Sequence, residues 1–138
     1  MSKCRLFLLA VLLVALPTGC DTFGHTQYVI PNASPTDRAT IKHIVESSAT
    51  TAGLVDKTAT SRVPDTIAFY VEPVPYYPVN LGARMVGDSA VVDITGFWTG
   101  PAVPPAFKTA DSRVSSALTN EFGARLRIPD YAHIVPVQ

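Results

Sequence analysis

Cysteine is nearly absent from this chain of 138 residues, which contains only Cys4 and Cys20. Both belong to the N-terminal twenty residues, so the rest of the chain has no pair of thiols that could form an internal disulfide. Its stability must therefore come from an ordinary hydrophobic core. The chain is long enough to build one compact domain around such a core.

Net charge is also lacking. The chain has 11 lysines and arginines against 11 aspartates and glutamates, which gives a formal net charge of +0. Towards the C-terminus, Arg113 and Arg125 are mixed with Asp111 and Glu121, so no basic stripe forms there. A protein that binds nucleic acid needs such a stripe to neutralise phosphates. The sequence therefore indicates no nucleic-acid partner.

Sequence motifs for catalysis and for cofactors are missing as well. There is no P-loop and no dinucleotide fingerprint, and no serine lies in a nucleophile elbow. The histidines His25, His43 and His133 are far apart, and none has the spacing of a metal ligand. His43 and Glu46, three apart on a predicted helix, indicate a surface contact. We therefore expect no catalytic residue, no cofactor and no metal.

The chain does have one uninterrupted apolar run, Leu6–Leu16, which follows the basic residues Lys3 and Arg5. The run has no polar face, unlike a helix that packs on a domain surface. It is also about half as long as the roughly 20 residues that span a bilayer. A basic start, a short apolar run and small residues before Cys20 predict a cleaved export signal over residues 1–19.

The segment Leu16-Pro17-Thr18-Gly19-Cys20 resembles the lipobox of bacterial lipoproteins. In that family an aliphatic residue and two small residues precede a cysteine that accepts lipid. Thr18 and Gly19 match the small positions. Leu16 stands one place earlier than the usual aliphatic residue, and Pro17 occupies that place.

The resemblance implies that Cys20 becomes the first mature residue, with a diacylglyceryl thioether and an acylated amino group that carry palmitate-like chains. Membrane lipid is then the first partner, and the protein lies in the bacterial cell envelope, facing the periplasm. Asp21 matches a sorting position of the family, which favours the inner membrane over the outer membrane. Cleavage near Cys20 by an ordinary signal peptidase, which would release a soluble protein, is the alternative.

After the signal we expect an anchor and tether over residues 20–26 and a single α+β domain over residues 27–138. Strands are predicted at 27–30, 66–72, 82–86, 89–95 and 132–137, with the pair Gly87-Asp88 as a hairpin turn. Two helices are predicted, one after the N-cap Ser34 and one from Pro104-Pro105. The apolar side of the first is Ile41, Ile44, Val45, Ser48, Ala52 and Val55; that of the second is Phe107, Ala110, Val114, Ala117, Leu118 and Phe122.

This order of elements predicts a small antiparallel sheet of four or five strands with two helices on one face. It looks like the ferredoxin-like class, or a variant of that class with an extra hairpin strand.

Four aromatic residues are the candidate binding residues: Tyr76 and Tyr77 in a proline-rich loop, and Phe97 and Trp98 at the end of a strand. Tyrosine and tryptophan are favoured at interfaces, and prolines reduce the entropy that a loop loses on binding. Two other interpretations stay open. Phe97 and Trp98 could cap the core while the tyrosines pack on a sheet edge, or the aromatics could contact lipid headgroups.

These observations predict a membrane-anchored envelope lipoprotein whose small non-catalytic domain binds an envelope protein or supports an envelope assembly. Two alternatives are an envelope hydrolase with a site around His43 or His133, and a carrier or sensor that holds a small ligand between sheet and helices. The sequence does not indicate an oligomeric state.

Overall fold

The computed structural model describes residues 21–129 and the backbone of residues 135–136. The elements in chain order are β1 (Asp21–Ile30), α1 (Pro35–Thr51), β2 (Val55–Asp56), β3 (Thr66–Val71), β4 (Asn80–Val86), β5 (Ser89–Thr99), α2 (Pro105–Phe122) and β6 (Val135–Pro136). Within these residues no helix is both long enough and apolar enough to cross a bilayer.

The strands form one antiparallel sheet in the order β2-β3-β4-β5-β1-β6. β2 and β6 are short edge strands of two residues each. The two helices contact each other and cover the same face of the sheet. The predicted α+β class is confirmed, and the arrangement is a variant of the ferredoxin-like one, with four strands instead of two between the two helices.

The signals at the start of α1 act as predicted. Ser34 is the N-cap, its hydroxyl accepts a hydrogen bond from the Asp37 backbone N–H, and the Asp37 carboxylate accepts one from the Ser34 backbone N–H. This reciprocal pair satisfies two backbone donors that a helix start leaves free. The helix ends earlier than predicted, because the chain turns at Gly53 (φ +76°), and Val55 is an exposed residue of β2.

The predicted hairpin is also present. β4 and β5 pair from Val86↔Ser89 to Asn80↔Thr95. Gly87, the first turn residue, has φ +62°, a conformation that residues with a Cβ adopt at a cost.

The core lies between the helices and one face of the sheet. Successive strand residues point to opposite faces, so every second residue of a strand belongs to this core. Its fully buried side chains include Ile30, Ile41, Val45, Val79, Leu81, Val92, Ile94, Val114 and Leu118.

The predicted tether over residues 20–26 is wrong for residues 21–26, which are part of β1. All ten residues of β1 pair with β5, from Asp21↔Thr99 to Ile30↔Ala90. Backbone pairing along the unexpectedly long β5 extends this polar, glycine-containing segment despite its weak strand propensity. The domain therefore includes residues 21–26. Of the strand predicted at 132–137, only 135–136 lie in the described part of the chain.

Candidate functional site

The face of the sheet opposite the helices carries a cleft of about 440 Å³. Three central strands form its floor with mostly polar side chains, and the segment before β3 contributes a wall that includes Ser61 and Val63. The floor residues are His25 and Gln27 of β1, Asn80, Gly82 and Arg84 of β4, and Asp93 and Thr95 of β5. We call this the open-face cleft.

Asp93 is at the centre of the polar contacts in the cleft. One carboxylate oxygen, Oδ1, lies 2.9 Å from Nε2 of His25 and accepts a hydrogen bond of 2.7 Å from Nε2 of Gln27. The other, Oδ2, is 3.8 Å from Nε of Arg84. Strand register explains the cluster, since Gln27 and Gly82 lie directly opposite Asp93 on its two sides.

The cluster presents both signs of charge to a bound molecule. Asp93 and His25 are each about three-quarters buried, whereas Arg84 is 42% exposed and can turn towards a partner. Partial burial strengthens hydrogen bonds to a bound group, because less water competes for them. The arrangement therefore suits recognition of a polar or zwitterionic group.

Two hydroxyls of the cleft, those of Ser61 and Thr66, form hydrogen bonds within the protein. Thr66 Oγ1 donates to the Val63 carbonyl at 2.7 Å and lies 2.9 Å from Ser61 Oγ, which we assign as the donor to it. Nowhere in residues 21–129 does a hydrogen bond join His25 to either hydroxyl. Neither Ser61 nor Thr66 is thus paired with His25 as a nucleophile with its base would be. Over the same residues, no three acidic, histidine or cysteine side chains gather to hold a metal ion.

A second feature of the open face is an aromatic patch, which consists of Phe23, Tyr77 and Phe97. The ring of Phe97 lies 4.7 Å from that of Phe23 and 6.5 Å from that of Tyr77, measured between centroids. Phe97 is 43% exposed and Tyr77 is 58% exposed. The structure thus brings together two of the four predicted binding residues and adds Phe23.

Hydrogen bonds join the two ends of the loop that carries Tyr77. The backbone N–H of Glu72 donates to the Val79 carbonyl, and the Val79 N–H donates to the Glu72 carboxylate. Tyr76, next to Tyr77 at the loop tip, is 80% exposed. The prolines between the two ends restrict the backbone further. The loop that carries the tyrosines therefore loses little conformational entropy when it binds a partner.

The prediction that Trp98 is a binding residue is wrong. It is only 7% exposed and lies on the helix side of the sheet, with its ring 5.5 Å from that of Phe107. Gly24 makes room for it, because a Cβ at that position would lie 2.6 Å from Cζ3 of Trp98. Strand alternation places consecutive residues on opposite faces. For this reason Phe97 and Trp98 cannot share a surface, and Trp98 caps the core as the alternative interpretation held.

The other candidate site residues do not line the open-face cleft in the described part of the chain. His43 is exposed on α1, on the helix side of the sheet, and His133 is outside the described residues. The space between sheet and helices, considered for a small ligand, is filled by side chains without solvent exposure such as Val45, Ile94 and Leu118. Neither location forms a site in the part of the chain that the structure describes.

Sequence reasoning missed His25 and Asp93. The sequence places His25 in the predicted tether and Asp93 within the predicted strand 89–95, with no sign that they meet. A usable signal was nevertheless present. Asp93 interrupts the otherwise apolar run Ala90–Ile94, and a charged residue at such a position in a strand points to the uncovered face of the sheet.

No protein-family model matches this chain, and no curated protein matches it. Among solved structures, the chain is similar to the adenosylmethionine decarboxylase of Aquifex aeolicus VF5, with a TM-score of 0.40 and 11% sequence identity. That alignment covers 86% of this chain and 90% of the decarboxylase chain. A likeness of this size carries no argument about activity, and the fold described above rests on the strand order itself.

Proposed function

We propose that this chain is a bacterial envelope lipoprotein that holds a periplasm-facing domain at the membrane and binds an envelope protein through the open face of its sheet. The observation that carries the proposal is the contrast between the two faces. Two helices pack on one face, whereas the other face is uncovered and carries the open-face cleft with its Asp93 cluster. The domain is non-catalytic in this proposal.

The anchor part of the proposal rests on the lipobox-like segment that ends at Cys20. Asp21 is already paired with Thr99, and Asp21 directly follows the lipid-acceptor candidate Cys20. Two or three acyl chains on Cys20 would make attachment effectively permanent, since each buried methylene contributes about 0.8 kcal/mol. With no spacer before β1, the domain would remain at the bilayer surface.

The partner part is supported by the chemistry of the open face. The polar groups of an interface hydrogen-bond across it, and the cleft on this face presents the cluster of Asp93, His25 and Arg84 to a partner. The opposite surface consists of the outer sides of α1 and α2, where most described residues are small or polar. The open face is therefore the better candidate for protein contact.

In-cell photo-crosslinking tests this proposal. A benzophenone amino acid replaces Phe69, which lines the open-face cleft, in the full-length chain. The expected result is one recurrent protein adduct after irradiation, and this adduct should weaken at least several-fold when Asp93→Asn is added. The matched control places the same amino acid at Ser47, an exposed position of α1, where no adduct should form.

Two results would count against the proposal. Equal adducts from positions 69 and 47 would show that the open face does not contact proteins more than the outer surface of α1 does. The absence of any protein adduct at position 69, in a chain that is folded and located in the envelope, would reject a protein partner at the cleft.

A second function, the binding of a small zwitterionic ligand in the same cleft, is favoured by one observation. The Asp93 carboxylate and the Arg84 guanidinium lie 3.8 Å apart and could pair with an ammonium and a carboxylate of one molecule. A thermal-shift screen of the purified chain against free amino acids tests it. We expect a rise in Tm that Asp93→Asn abolishes, and no shift with any amino acid would reject it.

A further inference from the structure

The aromatic patch lies at the end of the sheet where the chain leaves towards Cys20. Phe23 follows Cys20 by three residues, and Phe97 pairs with Phe23 across the strands. At a rise of about 3.3 Å per strand residue, the patch cannot be more than roughly 10 Å from Cys20. The loop that carries Tyr77 closes the sheet at this same end, since its neighbours Val71 and Asn80 pair beside Thr95.

We propose that the aromatic patch, with Tyr76 beside it, docks on the bilayer surface and fixes the orientation of the domain. This inference rests on the proposed lipid anchor at Cys20, and it goes further by naming the occupant of the patch. Tyrosine is enriched where membrane meets water, because its ring is apolar and its hydroxyl is polar. Phenylalanine at the same level adds apolar area to the contact.

The anchor makes even a weak contact effective. Lipid chains on Cys20 would hold the patch within about 10 Å of the bilayer. Docking of the patch is then an intramolecular event with a high effective concentration. The loop of Tyr77 loses little entropy on docking, since prolines and the hydrogen bonds between Glu72 and Val79 hold it in advance. The patch would therefore contribute orientation, and the acyl chains would contribute attachment.

The charges at this end of the domain predict how docking depends on salt. Asp21 and Glu72 lie near the patch, and Lys108 in the first turn of α2 is an exposed cation on the same end. With acidic and basic residues mixed, attraction to anionic lipids is not the driving force. Docking should thus depend little on salt, unlike the binding of a polybasic segment.

The orientation also defines where a partner can bind. The open-face cleft begins at His25, whose ring lies 6.0 Å from that of Phe23, and extends past Gln27, about 13 Å along the strand from Phe23, so it would open sideways just above the membrane. The hairpin turn at Gly87 would point away from the bilayer. A partner at the cleft must then be a protein that reaches close to the membrane surface.

Depth-dependent fluorescence quenching tests the docking. Tyr77→Cys, Phe97→Cys and Val86→Cys variants of the full chain are processed in cells, purified, labelled with an environment-sensitive fluorophore, and reconstituted in vesicles of phosphatidylethanolamine and phosphatidylglycerol. Val86 is the control, because it is 49% exposed and stands about 30 Å from Asp21 at the hairpin end. Emission from buried Trp98, the single tryptophan, reports before labelling that each variant is folded.

We expect a nitroxide placed at the lipid headgroup to quench the labels at 77 and 97 at least several-fold more than the label at 86, equally at low and high salt. Equal quenching at all three positions would overturn the docking. Labels at 77 and 97 that are shielded from aqueous iodide, yet not quenched by the lipid nitroxide, would mean that a second copy or another protein covers the patch, which also overturns it.

The mass of the N-terminal peptide, measured on the same samples, separates this inference from the proposed function. A lipidated Cys20 with no quenching at 77 and 97 rejects the docking and leaves the lipoprotein in place. A chain without fatty acid rejects both.

Discussion

The two faces of the sheet are built by the same strands but from different chemistry. On the helix side, Gly24 and Gly96 pair across β1 and β5; Gly24 makes room for the ring of Trp98, and Gly96 lies against the ring of Phe107. On the open side, His25, one residue after Gly24, and Asp93, three residues before Gly96, keep polar atoms in a cleft. The covered face is tightly packed and therefore serves stability, whereas the open face keeps groups that can still bind.

This comparison teaches that neighbouring residues in β5 have separate tasks. Asp93, Thr95 and Phe97 belong to the open face, while Ile94 and Trp98 belong to the core. Substitutions on the covered face should reduce the free energy of unfolding, and substitutions on the open face should reduce binding with little loss of stability. Each of the following predictions tests that separation.

The largest effect is expected from the pair Trp98→Ala and Phe97→Ala. Loss of the buried indole leaves a cavity beside Phe107 and should lower the free energy of unfolding by about 3–5 kcal/mol. Loss of the half-exposed Phe97 ring should cost about 1 kcal/mol or less. Denaturant titration followed by circular dichroism measures both, and equal losses would refute the separation of the faces.

A smaller effect is expected from Tyr28→Phe. The Tyr28 hydroxyl donates to Asp111 Oδ1 at 2.6 Å and links β1 to α2, and burial followed by the nearby Asp111 charge raises the pKa of Tyr28. Removing the hydroxyl leaves Asp111 without this donor, which should cost about 1–2 kcal/mol. Tyr77→Phe is the matched control and should be neutral in the same titration. If both variants unfold like the wild type, the link contributes nothing.

Much of the covered face could be predicted from the sequence, because local signals and periodicity agree there. The N-cap Ser34, the glycine turn at Gly87 and the apolar stripe of α2 each indicated the element that the structure contains. The same patterns predicted two helices on one face of an antiparallel sheet.

The open face could not be predicted in the same way. His25 and Asp93 are separated by 68 positions in the sequence and meet only through strand register. That register depends on the length of β5, and no local sequence pattern predicted that the strand continues beyond Thr95 to Thr99. Trp98 was misplaced for a related reason, since a one-residue step along a strand changes the face that a side chain joins.

Within the cleft, His25→Ala should be nearly neutral for folding. The imidazole and the Asp93 carboxylate are partly solvated, and pairs of this kind contribute roughly 0–1 kcal/mol. The adduct formed from position 69 should nevertheless weaken, because Asp93 would lose one of its two orienting contacts. A stability loss as large as that of Trp98→Ala would place His25 with the core instead.

The smallest effect is expected at the rim of the covered face, where Arg125 reaches across to Asp37. The Arg125 guanidinium, 2.9 Å from Asp37 Oδ2, and the Ser34 backbone N–H lower the pKa of Asp37 to about 2. Because the folded pKa lies below the unfolded value of 3.8, this contribution to stability is present above about pH 4 and is lost as the pH falls through 2. The Tm of Asp37→Asn should therefore fall less than that of the wild type between pH 5 and pH 2, and parallel curves would contradict the pairing.

The claim on which the account depends is that a lipid on Cys20 holds this domain at a membrane, with β1 starting at the next residue. Mass spectrometry of the N-terminal peptide from the natively processed protein tests it most directly. The account predicts a peptide that begins at Cys20 and carries a diacylglyceryl group together with an amide-linked fatty acid. A mature chain that begins at any other residue, or that carries no fatty acid, would contradict it.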